Sequence, residues 1–324
     1  MDWPLVIAFG FGVGVLVGTT GVGGGSLMTP ALILVFGTAP TTAIGTDLAY
    51  AAVTKTVGGW RHFRKGTVDI PIALWLAAGS IPGALGGVYV LHLLEHALGR
   101  GSFDDTLLTM VGAALLLTSV AVLARALLRH VRGERETVAP FERRHKVAAV
   151  LIGVSVGFVL GLTSAGSGAL IAVGLIMIYR LTPRRVVGTD VFHAALLLWV
   201  AALAHLVSGN VDLKLAGTIL IGSVPGVWIG SGLATRLPDG ALRPALGIVL
   251  LAAGLALFNK AGAHFPVSVI FLGPAAVALA FVAQHYGRRR LAGRSHTARQ
   301  SVADSPKPPA PTTAPTPTPT PEHA

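Results

Sequence analysis

Two glycine clusters, Thr19-Thr20-Gly21-Val22-Gly23-Gly24-Gly25-Ser26 and Leu162-Thr163-Ser164-Ala165-Gly166-Ser167-Gly168, each head a short apolar run. Backbone that leaves helical geometry inside an apolar phase has unpaired amides, tolerable only where protein, water or a substrate pairs them. A short helix starting at Ser26 or Ser167 would aim its free N–H groups and positive dipole end at its cluster, making an anion site that needs no buried cation. Gly23, Gly24, Gly25 and Ser26, together with Ser164, Gly166, Ser167 and Gly168, are therefore candidate substrate-binding residues. The competing reading is that these glycines only let helices pack closely.

A second set is ionisable. Asp47 follows Gly45-Thr46 and Asp190 follows Gly188-Thr189, each ahead of an apolar stretch where a carboxylate costs about 2.5–3.5 kcal/mol to insert. Two roles fit: coupling to a proton or cation, or a helix-start carboxylate seated on amide N–H groups. Tyr50 and His193 stand three residues on, on the same helical face, and join the aspartates as coupling or gating candidates. Thr46 and Thr189 join the binding set, as does Lys55, which could be a countercharge for an anionic substrate, a partner for Asp47, or a snorkelling side chain. His62 and His205 sit at segment ends, where an interfacial histidine is expected. Ser164, Ser167, His193 and Asp190 also supply the residue types of a hydrolase, although no strained nucleophile motif surrounds them.

These residues repeat. Sliding residues 10–87 onto 153–230 matches 27 of 78 positions without a gap, mostly Gly, Pro and polar residues. Asp47 falls on Asp190, Val68-Asp69 on Val211-Asp212, and Ser80, Pro82 and Gly83 on Ser223, Pro225 and Gly226. Lys55 has no counterpart, since Leu198 takes its place. The prolines inside the fourth segments should kink them.

The composition says which solvent such a chain needs. It is 52% hydrophobic and 12% charged, against roughly 25% charged in soluble domains, with mean hydropathy +0.70. A polytopic all-α membrane protein follows. With no cysteine there are no disulfides or thiolate chemistry, and the histidines form no metal-ligand pattern, so no cofactor is expected. The net charge of +11 is placed at helix ends, in the linker and in the tail, so it points to membrane lipid and not to nucleic acid.

Apolar segments run near 4–19, 26–37, 43–61, 69–93 and 105–129, then near 147–163, 167–180, 187–207, 213–235 and 241–258, with an eleventh near 265–286. The second of each half is too short for a full span, so the first two look like one broken or re-entrant unit. This divides the chain into a first repeat (1–130), a basic linker (131–146), a second repeat (147–260), an extra helix (261–287) and a basic, Pro-rich tail (288–324). Arg61, Arg64 and Lys65 follow the third segment of the first half, whereas Arg180, Arg184 and Arg185 precede the third segment of the second. By the positive-inside rule, equivalent loops then face opposite sides, an inverted repeat with the N-terminus outside and the C-terminus cytoplasmic.

Gly21-Val22-Gly23-Gly24-Gly25-Ser26-Leu27, then Pro30, Ala43-Ile44-Gly45-Thr46 and Gly66-Thr67-Val68-Asp69, resemble the sulfite exporter TauE/SafE family of membrane permeases. The likeness recurs, more degenerate, at Gly166-Ser167-Gly168, Val187-Gly188-Thr189 and Gly209-Asn210-Val211-Asp212. The resemblance covers about residues 5–258 and implies transport of small sulfur-containing or organic anions in a bacterial cytoplasmic membrane. Asp47 and Asp190 depart from the small polar residue more usual in that family. A secondary transporter working by alternating access is the leading expectation, with a passive anion channel, an intramembrane hydrolase and a receptor using the tail as alternatives. Substrate identity and homo-oligomerisation stay open.

Overall fold

A computed structural model describes residues 2–20, 25–127, 142–233, 239–266, 268–270 and 272–279. The first repeat forms α1 (Trp3–Thr20), α2 (Gly25–Leu34), α3 (Pro40–Arg64), α4 (Ile70–Ala97) and α5 (Arg100–Leu127). The second forms α6 (Arg143–Thr163), α7 (Ser167–Met177), α8 (Pro183–Val207), α9 (Leu213–Leu233) and α10 (Asp239–Phe258), which runs into a π-helical turn, Asn259–Ala263. A shorter apolar helix, Ser268–Leu279, follows. The tail and most of the linker lie outside the described residues. Helix α6 opens at Arg143, taking the last four linker positions into the helix.

Local chemistry sets these boundaries. Pro40 and Pro183 open α3 and α8, where a missing N–H costs nothing and φ is already helical. Asp69 Oδ1 accepts the Ile72 N–H at 3.3 Å and Asp212 Oδ1 accepts the Leu215 N–H at 2.9 Å, so the paired Val-Asp motifs are matched N-caps for α4 and α9. Among the described residues, six helices are long and apolar enough to cross a membrane: those within Ile70–Ala97, Gly101–Ala124, Arg143–Thr163, Pro183–Val207, Leu213–Gly230 and Pro244–Ala263. Helices α2 and α7 have 10 and 11 residues, about 15 Å of rise, or half of a bilayer core. Lys260 Nζ, from the π-helical turn, donates to the Ile33 carbonyl at 2.9 Å and so places a cation at the negative end of α2.

The major packings join the halves to one another. Helix α1 lies on α9, α4 on α6, α3 on α8 and α5 on α10. Exchanging the halves leaves this set unchanged, and the correspondence extends to single residues. A Cβ added at Gly79, Gly83 or Gly87 of α4 would strike the carbonyl oxygens of Val150, Val154 or Phe158 in α6. Added at Gly222, Gly226 or Gly230 of α9, it would strike those of Ile7, Phe11 or Val15 in α1, each 143 positions from its counterpart. The glycines beside Pro82 and Pro225 are thus packing positions, and α4 and α9 continue through both prolines. Between helices in lipid, close van der Waals contact replaces the hydrophobic drive available in water.

Two hydrogen bonds pin the halves together in the same symmetric way. The Asp212 N–H donates to Thr46 Oγ1 at 3.0 Å, and the Asp69 N–H donates to Thr189 Oγ1 at 2.9 Å. Gly45 and Gly188, next to these threonines, admit the carbonyls of Asn210 and Thr67 at positions a Cβ would fill.

Gly157, packed on the Ser80 carbonyl, has no room for a side chain, whereas Gly12 meets nothing within 4 Å. Gly157→Leu should therefore lower stability by at least ~1–3 kcal/mol, the usual cost of overpacking, with Gly12→Leu near neutral. Thermal unfolding of both variants in detergent checks this.

Candidate functional site

The break between α6 and α7 is built by two left-handed residues, Ser164 (φ 58°) and Gly166 (φ 94°). Ser164 ends α6 by donating its N–H to Leu160 O at 2.8 Å, and Gly166 is the N-cap of α7. The Ser164 side chain leaves its own half and donates to Asp47 Oδ2 at 2.9 Å. Thr29 Oγ1, from α2, donates to the same oxygen at 2.6 Å. Asp47 is fully buried and thereby ties the first short helix to the break that precedes the second. Hydrogen bonds to a charged group contribute about 1.5–3 kcal/mol each, enough to offset much of the cost of a carboxylate at this depth.

In the second half Asp190 occupies the matching place with different partners. Its Oδ2 lies 4.0 Å from Lys55 Nζ, and a Cβ built on Gly168 would come within 3.1 Å of it. The carboxylate therefore rests on the first turn of α7, where the free amides and positive dipole end favour an anion. Two expectations change here. Lys55 pairs with Asp190 and not with Asp47, because α3 packs across α8. Neither aspartate caps its own helix: α3 and α8 start at Pro40 and Pro183, which puts Asp47 and Asp190 seven residues inside.

One turn beyond each aspartate the polar pairs also correspond. His193 Nε2 and Ser80 Oγ are 2.7 Å apart; in the other half the Tyr50 hydroxyl faces Ser223 Oγ without reaching hydrogen-bond geometry. Ser80–His193 lacks the carboxylate that would orient a triad histidine, since His193 Nδ1 has no partner. His205, expected at an interface, is instead fully buried, and its Nε2–H donates to the Gly161 carbonyl at 2.9 Å where α8 meets α6. His62 stays half-buried, with Nδ1 2.9 Å from Thr67 Oγ1.

The other candidates divide by position. Gly25 opens α2 and Ser26 is buried beside it, while Gly23 and Gly24 lie outside the described residues. Ser167 opens α7. Thr46 and Thr189 spend their hydroxyl oxygens on the cross-repeat bonds to Asp212 and Asp69. Sequence reasoning missed Thr29, whose repeat position holds Ala172, so no signal marked it. It also missed the roles of Ser80 and Ser223, although their match across the repeat was visible.

Removing the ammonium from beside a carboxylate this buried should be expensive. Lys55→Leu is expected to destabilise by about 3–5 kcal/mol, and Lys55→Leu with Asp190→Asn by clearly less than the sum of the two single changes. A double-mutant cycle on unfolding midpoints reads the coupling; strict additivity would show the two groups do not interact.

Residues 6–257 match the family model described as Sulfite exporter TauE/SafE. Probable membrane transporter protein YjnA of Bacillus subtilis (strain 168) is 38% identical over 257 residues, covering 78% of this chain and 98% of that protein. Probable membrane transporter protein YdhB of the same organism is 26% identical over 255 residues, covering 78% and 99%. A probable membrane transporter protein of Xylella fastidiosa (strain 9a5c) is 26% identical over 257 residues, covering 78% and 94%. No solved structure matches. With a family match that spans the described helices from α1 into α10, and six of these helices fit to cross a bilayer, this multi-pass membrane transporter belongs to the sulfite exporter TauE/SafE family.

Proposed function

We propose that this chain is a secondary transporter of small anions, sulfur-containing ones such as sulfite, sulfonates or related organic anions, working by alternating access across a bacterial cytoplasmic membrane. The observation that carries the reading is the meeting at Asp47 of α2 and the α6–α7 break, through Thr29 and Ser164. A half-length helix bonded to Asp47 through Thr29, and a second one headed by the break that bonds to the same oxygen, would offer amides and dipole ends to an anion, the arrangement by which broken-helix transporters hold anions. Substrate would lie among Gly23, Gly24, Gly25 and Ser26 on one side and Ser164, Gly166, Ser167 and Gly168 on the other. Thr46 and Thr189 hold the surrounding backbone, and Lys55 is the nearby positive charge. Asp47, Asp190, Tyr50 and His193 are the coupling or gating groups.

An inverted arrangement of the halves, with the N-terminus outside and the C-terminus cytoplasmic, is supported by the opposite loop charges. The exchange symmetry of the packing is the two-fold relation that such an arrangement requires. In that arrangement α1 with α9, and α4 with α6, are the tightly packed pairs, and rocking about them would open the site to alternate sides.

Proteoliposomes loaded with the purified chain should take up sulfite or methanesulfonate saturably and accumulate it uphill under an imposed ion gradient. Lys55→Gln should weaken apparent affinity by ~10-fold, the equivalent of about 1.4 kcal/mol. Flux that only runs downhill would identify a passive channel instead.

A further inference from the structure

We propose that Asp47 anchors a sodium-ion site completed by the hydroxyls of Thr29, Tyr50, Ser164 and Ser223. The two repeats place an aspartate at equivalent points and treat its charge differently. Asp190 has the Lys55 ammonium at 4.0 Å. Exchanging the halves puts Leu198, a buried aliphatic side chain, where Lys55 stands, and no ion pair reaches Asp47 among the described residues. One half thus carries its cation covalently and the other lacks one.

The groups around Asp47 show what is missing. Asp47 Oδ2 accepts from Thr29 and Ser164, but Asp47 Oδ1, the Tyr50 hydroxyl and Ser223 Oγ are all buried and without a hydrogen-bond partner. Tyr50 stands one turn from Asp47 on α3, within reach of its charge, and faces Ser223 of α9. Buried polar atoms are seldom left unpaired, and a group of them belonging to one locus calls for an occupant. In the second half His193 replaces Tyr50 and pairs through Nε2 with Ser80 Oγ, so the serine hydroxyl there is engaged.

The donor set selects the occupant. Every available atom is oxygen, which suits a hard cation, and a single carboxylate suits one positive charge and not two. A proton would neutralise Asp47, but its single O–H would pair with one hydroxyl oxygen at most and leave the others as they are. A sodium ion satisfies the carboxylate and the hydroxyl oxygens together. The inference rests on the transporter reading only for its use, since co-transport gives the ion a purpose; the site itself stands on these residues.

Binding is therefore measured apart from flux, on the purified full chain in detergent at fixed pH, with NaCl against choline chloride at equal ionic strength. Sodium should raise the unfolding midpoint saturably by about 3 °C or more, and radioactive sodium should bind at one ion per chain. Leu198→Lys, which supplies the ammonium the second half already has, should abolish both effects while keeping the midpoint in choline at or above that of the unaltered chain. Ser223→Ala and Tyr50→Phe should each weaken sodium affinity by ~10-fold, and they decide the matter if Leu198→Lys does not fold. Equal midpoints in sodium and choline would overturn the proposal, as would sodium affinity unchanged in Leu198→Lys or in both hydroxyl variants. Sodium binding without uphill anion flux would sink the transport reading and leave the site standing.

Discussion

Where α4 meets α6 and α1 meets α9, glycines bring one helix backbone against the carbonyl oxygens of the next, and the other features of the fold are positioned by those two seams. A bilayer gives no hydrophobic reward for helix association, so contact distance itself must supply the attraction. Each seam crosses the repeat boundary. The halves are therefore interlocked rather than adjacent, and the start of α7 is delivered by a helix of one half packed on a helix of the other. Thr46 and Thr189 complete the lock by accepting backbone N–H groups where α9 and α4 begin.

Within that frame, shape is shared and chemistry is not. The same offset relates glycine to glycine, N-cap to N-cap and threonine bridge to threonine bridge, since any of these lost on one side would open its seam. The polar residues at the centre have diverged: Lys55 against Leu198, His193 against Tyr50, Thr29 against Ala172. An aspartate resting on a helix start with an ammonium beside it is close to neutral as a group. An aspartate held by two hydroxyl donors is stabilised but keeps its net negative charge. That difference makes the first half the natural place for an ion that comes and goes.

Much of the fold was legible in the chain. Ten of the eleven apolar segments, two of them too short to span, correspond to α1–α10, because uniform hydrophobicity broken by glycine, proline and charge leaves few alternatives. The capping roles of Asp69 and Asp212 and the prolines opening α3 and α8 carry local signatures. The site was legible only as a list. Residue types marked Asp47, Asp190, Ser164 and Lys55, but their partners depend on which helices cross, and so Lys55 meets the aspartate of the other half. His205 was misplaced for the same reason: a position near the end of its helix says nothing of the neighbour that covers it.

By itself the sequence determined the solvent, the order and approximate placement of the helices, the points where backbone must break, and the pairs of residues that would share an environment. Those are consequences of composition and of short-range stereochemistry, and both are written along one dimension. The tertiary structure decided that Ser164 crosses to Asp47, that Lys55 answers Asp190, and that Tyr50 and Ser223 are left facing each other unpaired. Each of these joins residues more than a hundred positions apart, and only the interlocking of the two halves brings them within reach.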